Sequence, residues 1–124
     1  MRNIHDVFKF RNDKGGIGLV KIADILCARS DQNYVHIYTA TRKITQHMTF
    51  AEFVACCHWD LMLFKIHKQY LLRFDCIHEI RTDTNEGDYI TLTDVVHQQL
   101  RNLDDFFTQK TLPLGAEGKI LLVT

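Results

Sequence analysis

Histidine and cysteine are the residue types in this 124-residue chain that are best suited to catalysis or metal binding. None of the seven histidines lies in a His-x-x-x-His or His-Glu-x-x-His pattern, which would place two metal ligands on one helix face. The spacing of the four cysteines fits neither a Cys-x-x-Cys pair nor a zinc ribbon. A Gly-x-Ser-x-Gly nucleophile motif is also absent. We therefore expect no enzymatic activity and no cofactor.

One pair of neighbouring cysteines leaves an alternative open. Cys56 and Cys57 are adjacent and precede His58, so these three side chains could join a distant histidine in a redox or metal site. Adjacent cysteines rarely form a disulfide, because the peptide plane between them would be strained. We expect four reduced thiols, mostly buried as small hydrophobic side chains, and keep the vicinal redox or metal site as the alternative.

A cluster of basic residues is the other candidate for function. Lys65, His67, Lys68 and Arg73 fall within nine residues, between apolar anchors, in segment 63–80. Cations of this kind can contact the phosphates of a nucleic acid, although a charge run usually forms only a solvated face.

The overall charge does not favour nucleic-acid binding. Lysine plus arginine and aspartate plus glutamate each total 15, and the isoelectric point is about 7.0. Most DNA-binding domains have a clear positive excess. Any contact with nucleic acid therefore depends on how the charges are distributed.

Short strands separated by turns must position these residues. Alternating apolar and polar residues, bounded by turn residues, predict strands rather than long helices. The glycine-rich stretch at 15–18 lies in a predicted hairpin, so we interpret it as a turn and not as a phosphate loop, which requires a helix N-terminus. The predicted strands are residues 7–10, 17–21, 25–30, 34–39, 44–48, 63–67, 70–72, 77–81 and 89–93.

Two helices are predicted. Thr49 and Glu52 form a capping box, and apolar residues at helical spacing follow, which indicates a helix over 50–58. A second apolar stripe indicates a helix over 96–107. The last residues, 119–124, are expected to form a final strand or a loose tail.

The fold class is therefore mostly β, with one short central helix and one C-terminal helix. We expect a single domain over residues 1–107 and a C-terminal tail, with a short strand at most, over 108–124. The sequence has no apolar run long enough to span a bilayer and no apolar leader, so we expect a cytoplasmic protein without membrane contact.

Segment 63–80 resembles a motif of the LytTR family of DNA-binding domains. The family pattern is Phe-x-Arg-Ile-His-Arg-Ser-Tyr-Leu-Val-Asn-Leu-x-x-Ile-x-x-Ile. Lys65 and Lys68 stand for its arginines, Gln69 for Ser and Arg73 for Asn. The residues that match it unchanged are Ile66, His67, Tyr70, Leu71, Ile77 and Ile80.

A second block agrees with the first. The family has a connection ending in Asp-Ile, a strand, a short polar loop and Asn-Tyr-Val-x-Ile, and this chain has Asp24-Ile25 followed by Asn33-Tyr34-Val35-His36-Ile37. The resemblance covers about residues 5–107. It implies an elongated β fold of three small sheets that binds DNA through loops in successive major grooves, without a recognition helix.

The resemblance implies three contact regions. The first is the loop with Asn33, and the second is the His-Lys-Gln stretch with its neighbour Lys65. The third precedes and opens the last helix, where the family has Val-Ser-Arg-Arg; here His97 takes the Ser position, and Gln98 and Gln99 replace the arginines. The candidate DNA-binding residues are Asn33, Lys65, His67, Lys68, Gln69, Gln98 and Arg101.

These residue types suit the chemistry of base and phosphate recognition. Asn and Gln can pair with adenine, and Lys can reach guanine or a phosphate. We expect phosphate contacts from Lys65, Lys68, Arg29, Arg42 and Lys43. His67 is either a structural hydrogen-bonding residue or a DNA contact. Tyr34 and Tyr70 are expected in the core or on a sheet face.

The leading hypothesis is sequence-specific binding of double-stranded DNA by a bacterial transcriptional regulator, on paired direct repeats and with self-association on the DNA. No small-molecule substrate is evident. The alternative is a protein-interaction module on the same fold with weakened DNA affinity, which the neutral charge and the loss of the arginine pair favour.

Overall fold

Ten short strands and three helices are present in the computed structural model, which describes residues 6–123. The strands are β1 (Val7–Arg11), β2 (Ile17–Lys21), β3 (Cys27–Asp31), β4 (Tyr34–Tyr38), β5 (Lys43–His47), β6 (Leu63–His67), β7 (Tyr70–Arg73), β8 (Ile77–Thr84), β9 (Gly87–Leu92) and β10 (Thr111–Pro113). The helices are α1 (Phe50–Cys57), α2 (Asp94–Leu103) and α3 (Ala116–Val123).

The strands form three antiparallel sheets, so the expected mostly β, three-sheet architecture is confirmed. The hairpin β1–β2 is the first sheet. The central sheet has five strands in the order β5-β4-β3-β7-β6, and the third sheet has the order β10-β9-β8. None of the described helices is long and apolar enough to span a membrane.

The hairpin turns follow the local sequence. In the β1–β2 turn the Asn12 side chain accepts hydrogen bonds from the backbone N–H groups of Lys14 and Gly16, at 3.1 and 2.9 Å. Gly15 has φ 79°, a conformation that side-chain-bearing residues avoid. The glycine-rich stretch is therefore a hairpin turn, as expected. β8 extends to Thr84, beyond its predicted end at residue 81, and pairs there with Gly87.

The helix predicted from the capping box is confirmed. Thr49 Oγ1 accepts from the N–H of Glu52 at 3.1 Å, and the Glu52 carboxylate accepts from the N–H of Thr49 at 3.2 Å. The second helix begins and ends earlier than predicted. Thr93 caps it by accepting from the N–H of Val96 at 3.3 Å, so the helix begins at Asp94, and it ends at Leu103.

The expectation of a strand or loose tail over 119–124 is wrong for the residues up to Val123, and residue 124 lies outside the described residues. Residues 116–123 form α3, which packs on β6. The apolar run at 120–123 has no clear period, and a short run of this kind does not by itself distinguish a strand from a buried helix. β10 pairs with β9 through Leu112 and Ile90. The domain boundary at residue 107 stays a prediction.

Both faces of the central sheet are buried. Successive side chains of a strand point to opposite faces, so Ala28 and Cys27 of β3 enter different cores. The first core joins the sheet to the β1–β2 hairpin and α1, and its largest side chains include Phe53. The second core joins the sheet to β8–β10, α2 and α3 through residues such as Ile90 and Leu100. The central sheet is therefore held rigidly between two layers.

Arg73 links three parts of the chain inside the protein. Its side chain donates to the carbonyl oxygens of Ile25 at 2.7 Å and Ile22 at 2.8 Å, and it pairs with the Asp60 carboxylate at 3.0 Å. Only 8% of Arg73 is exposed. Burial alone would raise the pKa of Asp60, but the hydrogen bonds from Arg73 and the Met62 N–H, together with the charge of Arg73, outweigh it and keep the pKa below its usual value. Arg73 belongs to the basic cluster in the sequence but is a structural residue.

Replacing Arg73 by Ala should destabilise the fold strongly. The change leaves Asp60 buried without a cation and two carbonyl groups without donors. We expect the free energy of unfolding to fall by about 3–5 kcal/mol, the usual cost of breaking a buried pair. Urea unfolding followed by Trp59 fluorescence measures it. Arg101→Ala, which changes an exposed arginine, is the control and should leave the unfolding midpoint almost unchanged. A loss below about 1 kcal/mol for Arg73→Ala would contradict this account.

Candidate nucleic-acid interface

Two hairpin turns lie side by side where the strands of the central sheet end, on one side of the sheet. β3 and β7 pair antiparallel, with Arg29 opposite Tyr70, and the N–H of Ser30 donates to the carbonyl of Gln69 at 2.9 Å. The turn that follows β3 and the turn that precedes β7 are therefore at the same end of the sheet. We call this end, formed by residues 31–34 and 67–70, the turn edge.

Asn33 is presented on a fixed backbone. Gln32 before it has φ 55°, and the carbonyl of Asn33 accepts from the N–H of Met48 at 3.1 Å. The Asn33 side chain is exposed and makes no hydrogen bond within residues 6–123. Its amide is therefore available to an external ligand.

Lys68 and Gln69 form the second turn, and His67 shapes it. Both turn residues are exposed, and neither side chain has a hydrogen bond or ion pair in the part of the chain that is described. The N–H of Gln69 donates to His67 Nδ1 at 3.1 Å, and the His67 ring lies against Tyr70 with centroids 5.7 Å apart. The half-buried Lys65 lies on β6, in the strand that leads to this turn.

The protonation state of His67 follows from its surroundings. Burial lowers its pKa, and the nearby charge of Lys68 lowers it further. The imidazole is therefore neutral near pH 7. Since Nδ1 accepts from Gln69, the ring proton is on Nε2. These contacts show that His67 shapes the turn, and its contact with DNA stays a prediction.

Tyr34 lies on a sheet face, as expected, because it is opposite His47 in the pairing of β4 with β5. It is 47% exposed next to Asn33, and its ring packs edge-on against His47 with centroids 5.2 Å apart. Sequence reasoning did not select either residue as a site residue. The position of Tyr34 could have indicated its exposure, because the first strand residue after a turn has fewer neighbouring residues packed on it. Tyr70 is half-buried on the sheet, as expected.

Three cations expected to contact phosphate have partners within the protein. Arg29 and Lys43 pair with Asp104 at 3.5 and 2.9 Å, and the Arg29 guanidinium also lies 3.9 Å from the ring centroid of Phe106. Arg42 donates to the carbonyl of Leu19 at 2.6 Å. Arg29 is partly buried, whereas Arg42 and Lys43 are exposed, and phosphate contacts from these three residues stay predictions. The partners are far apart in the chain, so spacing alone does not reveal these pairs.

Asp104 is the centre of a partly buried charge cluster with Arg29 and Lys43. Burial would raise the pKa of its carboxyl group, but the hydrogen bonds from Tyr38, the Phe106 N–H and Lys43 outweigh burial and hold the pKa well below its usual value. The Tyr38 hydroxyl donates to Asp104 Oδ2 at 2.5 Å. The charged carboxylate thus fixes the end of α2 on the central sheet.

The third expected contact region is placed differently from the first two. The N–H of Thr93 donates to the carbonyl of Cys76 at 3.0 Å, so α2 begins at the end of the sheet opposite the turn edge. Gln98 and Arg101 are exposed within α2, and no described contact joins them to Asn33 or Lys68.

The observed start of α2 also corrects the expected position of the family's Val-Ser-Arg-Arg motif relative to the helix. His97, Gln98 and Gln99 do not open the helix, because Thr93 is its cap and Asp94 its first residue. His97 instead forms a hydrogen bond with the carbonyl of Phe107 at 2.9 Å. Asp94 pairs with Lys110, so an acidic residue stands at the helix opening.

A family model of the LytTr DNA-binding domain matches residues 15–101. The chain belongs to the LytTR family of DNA-binding domains. Both turns of the turn edge lie within the residues that match the LytTR model, whereas β10 and α3 lie after them.

A solved structure supports the LytTR fold. The LytTr DNA-binding domain of a methyl-accepting/DNA response regulator from Bacillus cereus is similar to this chain, with a TM-score of 0.61 and 12% sequence identity. The similarity covers 94% of this chain and 92% of that one. The comparison with curated proteins found no match.

The cysteines of this LytTR domain are free thiols in the structure. Cys27, Cys57 and Cys76 are buried and Cys56 is exposed, so the expected burial of most cysteines is confirmed. Burial raises the pKa of Cys57 and of Cys76 to about 12. Among the described residues, no group of three or more His, Cys, Asp or Glu side chains is arranged to hold a metal ion.

Replacing Asp104 by Asn should change how stability depends on pH. A depressed carboxyl pKa adds stability above the unfolded value of 3.8, and this contribution is lost as the pH falls toward the folded pKa. We expect Asp104→Asn to be less stable than the wild type at pH 7 and to lose less stability between about pH 5 and pH 2. Urea unfolding across this range measures both effects. Asp105→Asn, at the exposed neighbouring position, should follow the wild type; parallel pH profiles for Asp104→Asn and the wild type would contradict this assignment.

Proposed function

We propose that this LytTR domain is the DNA-binding domain of a bacterial transcriptional regulator and recognises specific double-stranded sequences through its turn edge. The observation that carries the proposal is the pairing of β3 with β7. This pairing presents the exposed side chains of Asn33, Lys68 and Gln69 together on two turns of one sheet.

The dimensions of the turn edge suit the major groove. One turn joins β3 to β4 and the other joins β6 to β7, so their centres are two strand spacings apart, about 10 Å. The major groove of B-DNA is about 12 Å wide. The tips of the two turns are therefore close enough to reach neighbouring positions along the major groove, although the four strands that carry them are together wider than the groove.

The side chains at this edge have complementary roles. The amides of Asn33 and Gln69 are suited to adenine, and the ammonium of Lys68 is suited to guanine or to a phosphate. Lys65 supplies a phosphate contact beside the second turn, and His67 keeps that turn in shape.

Other candidates lie around or beyond this groove. Tyr34 and His47 offer an aromatic surface beside Asn33, which suits a thymine methyl group or the sugar edge. Arg101 is exposed and has no ion pair among the described residues, so it is suited to a phosphate contact. Gln98, whose side chain donates to Asn102 at 2.9 Å, is proposed as a peripheral polar contact.

A protein-interaction module is the second candidate function, and one observation favours it. At the end of the sheet opposite the turn edge, several large apolar side chains are exposed, and Leu61 is exposed to 83%. This end is free when the turn edge binds DNA, so the two functions are compatible. The other exposed apolar residues there are Leu19, Trp59, Met62 and Phe74.

DNA affinity should depend on salt, but less steeply than for a strongly basic domain. Lys65, Lys68 and Arg101 are the cations proposed to meet phosphates, and each neutralised phosphate contributes about −0.9 to the slope of log K against log salt. We expect a slope of about −2 to −3 in fluorescence-anisotropy titrations. Undetectable binding at low salt, on random and selected duplexes alike, would reject the DNA proposal and favour the interaction module.

The preferred DNA should contain paired sites. We propose that two copies bind direct repeats and contact each other on the DNA. Selection from random duplexes should enrich two copies of one motif at a fixed spacing, and the second copy should bind more tightly than the first. Enrichment of a single motif, with independent binding of two copies to an artificial repeat, would reject this part of the proposal.

Substitutions at the turn edge should separate base contacts from phosphate contacts. Gln69→Ala should change the preference at one base pair, with a loss of about 1–3 kcal/mol on the preferred base. Lys68→Ala should either do the same or weaken binding to every sequence and reduce the salt slope by about 1. Lys21→Ala, which changes an exposed lysine at the opposite end, is the matched control. If both turn-edge variants bind as tightly as the control, these residues are not contacts.

A further inference from the structure

A β-bulge interrupts β6 just before the second turn. Lys65 pairs with Leu71 and His67 pairs with Tyr70, so Ile66 is an extra residue on β6. Bulges commonly redirect the side chains that follow them. The residues that follow this bulge are His67, Lys68 and Gln69. The geometry of the bulge therefore sets the direction of the turn that we propose as a DNA contact.

The C-terminal segment fixes this bulge from the outside. The N–H of Gly115 donates to the carbonyl of Ile66 at 2.7 Å. α3 then crosses β6, the edge strand of the central sheet, so closely that a Cβ atom on Gly118 would lie 2.3 Å from the Ile66 carbonyl oxygen and 2.7 Å from its Cα. Only glycine fits this contact, although glycine is unfavourable within a helix.

The contacts continue from the bulge to the turn. Gly115 lies against His67, since a Cβ atom at residue 115 would be 3.6 Å from His67 Cδ2. His67 Nδ1 in turn accepts the N–H of Gln69. A cavity of about 210 Å³ separates the start of α3 from Lys65 and Lys68. The side chains of these two lysines are thus close to α3 but not covered by it.

α3 is anchored on its other side as well. Lys119 Nζ lies 3.2 Å from an Asp83 carboxylate oxygen and 3.6 Å from one of Asp88. The N–H of Leu114, just before the helix, donates to the carbonyl of Asp88 at 3.0 Å. The helix therefore connects the β8–β9 hairpin to the bulge at Ile66.

We infer that α3 is a positioning element for the DNA-contacting turn, and that it acts through the contacts of Gly115 and Gly118 with Ile66. The DNA part of this inference rests on the proposed function. The inference goes beyond it, because α3 lies outside the segment that matches the family model. DNA affinity is then controlled by a helix that itself contacts no base.

The test uses Gly118→Ala in the full chain, with Leu121→Ala, at an exposed and uncharged position of α3, as the matched control. Alanine is a better helix former than glycine, so an effect on helix stability alone would leave the variant unharmed. If α3 positions the turn, the new Cβ displaces α3 from Ile66. We then expect hydrogen exchange of the Gln69 amide to accelerate about tenfold, and DNA affinity to fall about threefold to tenfold, while the control changes neither.

Two further measurements separate positioning from general damage. In a background with Lys68→Ala and Gln69→Ala, Gly118→Ala should have little further effect on DNA affinity, because the side chains that it misplaces are absent. Lys119→Ala, which loosens α3 without a steric clash, should produce a smaller change in the same direction; it keeps the test informative if Gly118→Ala does not fold.

The results against the inference are equally specific. Gln69 exchange and DNA affinity that match the Leu121→Ala control, for both Gly118→Ala and Lys119→Ala, would overturn it. Fully additive losses in the double-variant background would overturn it too. If the wild type binds no DNA, the proposed function fails, and the exchange of the Gln69 amide alone then decides whether α3 positions the turn.

Discussion

The antiparallel pairing of β3 with β7 is the constraint on which the candidate interface depends. It joins residues 27–29 to residues 70–72 and brings together two turns that are more than thirty residues apart in the chain. The neighbouring pairings, β3 with β4 and β7 with β6, then determine where each turn ends. Without this pairing, Asn33 and Lys68 would belong to separate loops. With it, they share one edge of a sheet whose faces are both buried.

The charges of the chain are distributed in a way that the neutral total does not indicate. Arg29, Lys43 and Arg73 are paired with Asp60 or Asp104, so these residues hold elements together; Arg29 and Arg73 contribute little to the outer surface, whereas Lys43 is exposed. The cations left at the turn edge are few, and they lie beside neutral amide side chains. Under the proposed function, specificity comes from base contacts while the general attraction to DNA stays modest.

Local patterns predicted much of this fold, and contacts between distant residues account for what they missed. The capping box of Thr49 and Glu52 identified α1, and alternation identified the strands of the central sheet. α3 was not foreseen, because the apolar run at 120–123 has no clear helical period and the close approach of Gly118 to Ile66 joins residues that are distant in the chain. The Asn33 and Lys68–Gln69 turns followed from a resemblance and are exposed as expected. The pairing of Arg29 with Asp104, by contrast, spans 75 positions and needs the structure.

The most direct test of the account is to map the DNA-bound surface by amide chemical shifts. A duplex selected from random DNA is titrated into the labelled domain, and the shift of each backbone amide is followed. The account predicts that the largest changes cluster at residues 31–34 and 67–70, with smaller changes at 47–49. Changes concentrated at the opposite end, around Leu61 and Phe74, would contradict the assignment of the turn edge as the DNA-binding surface.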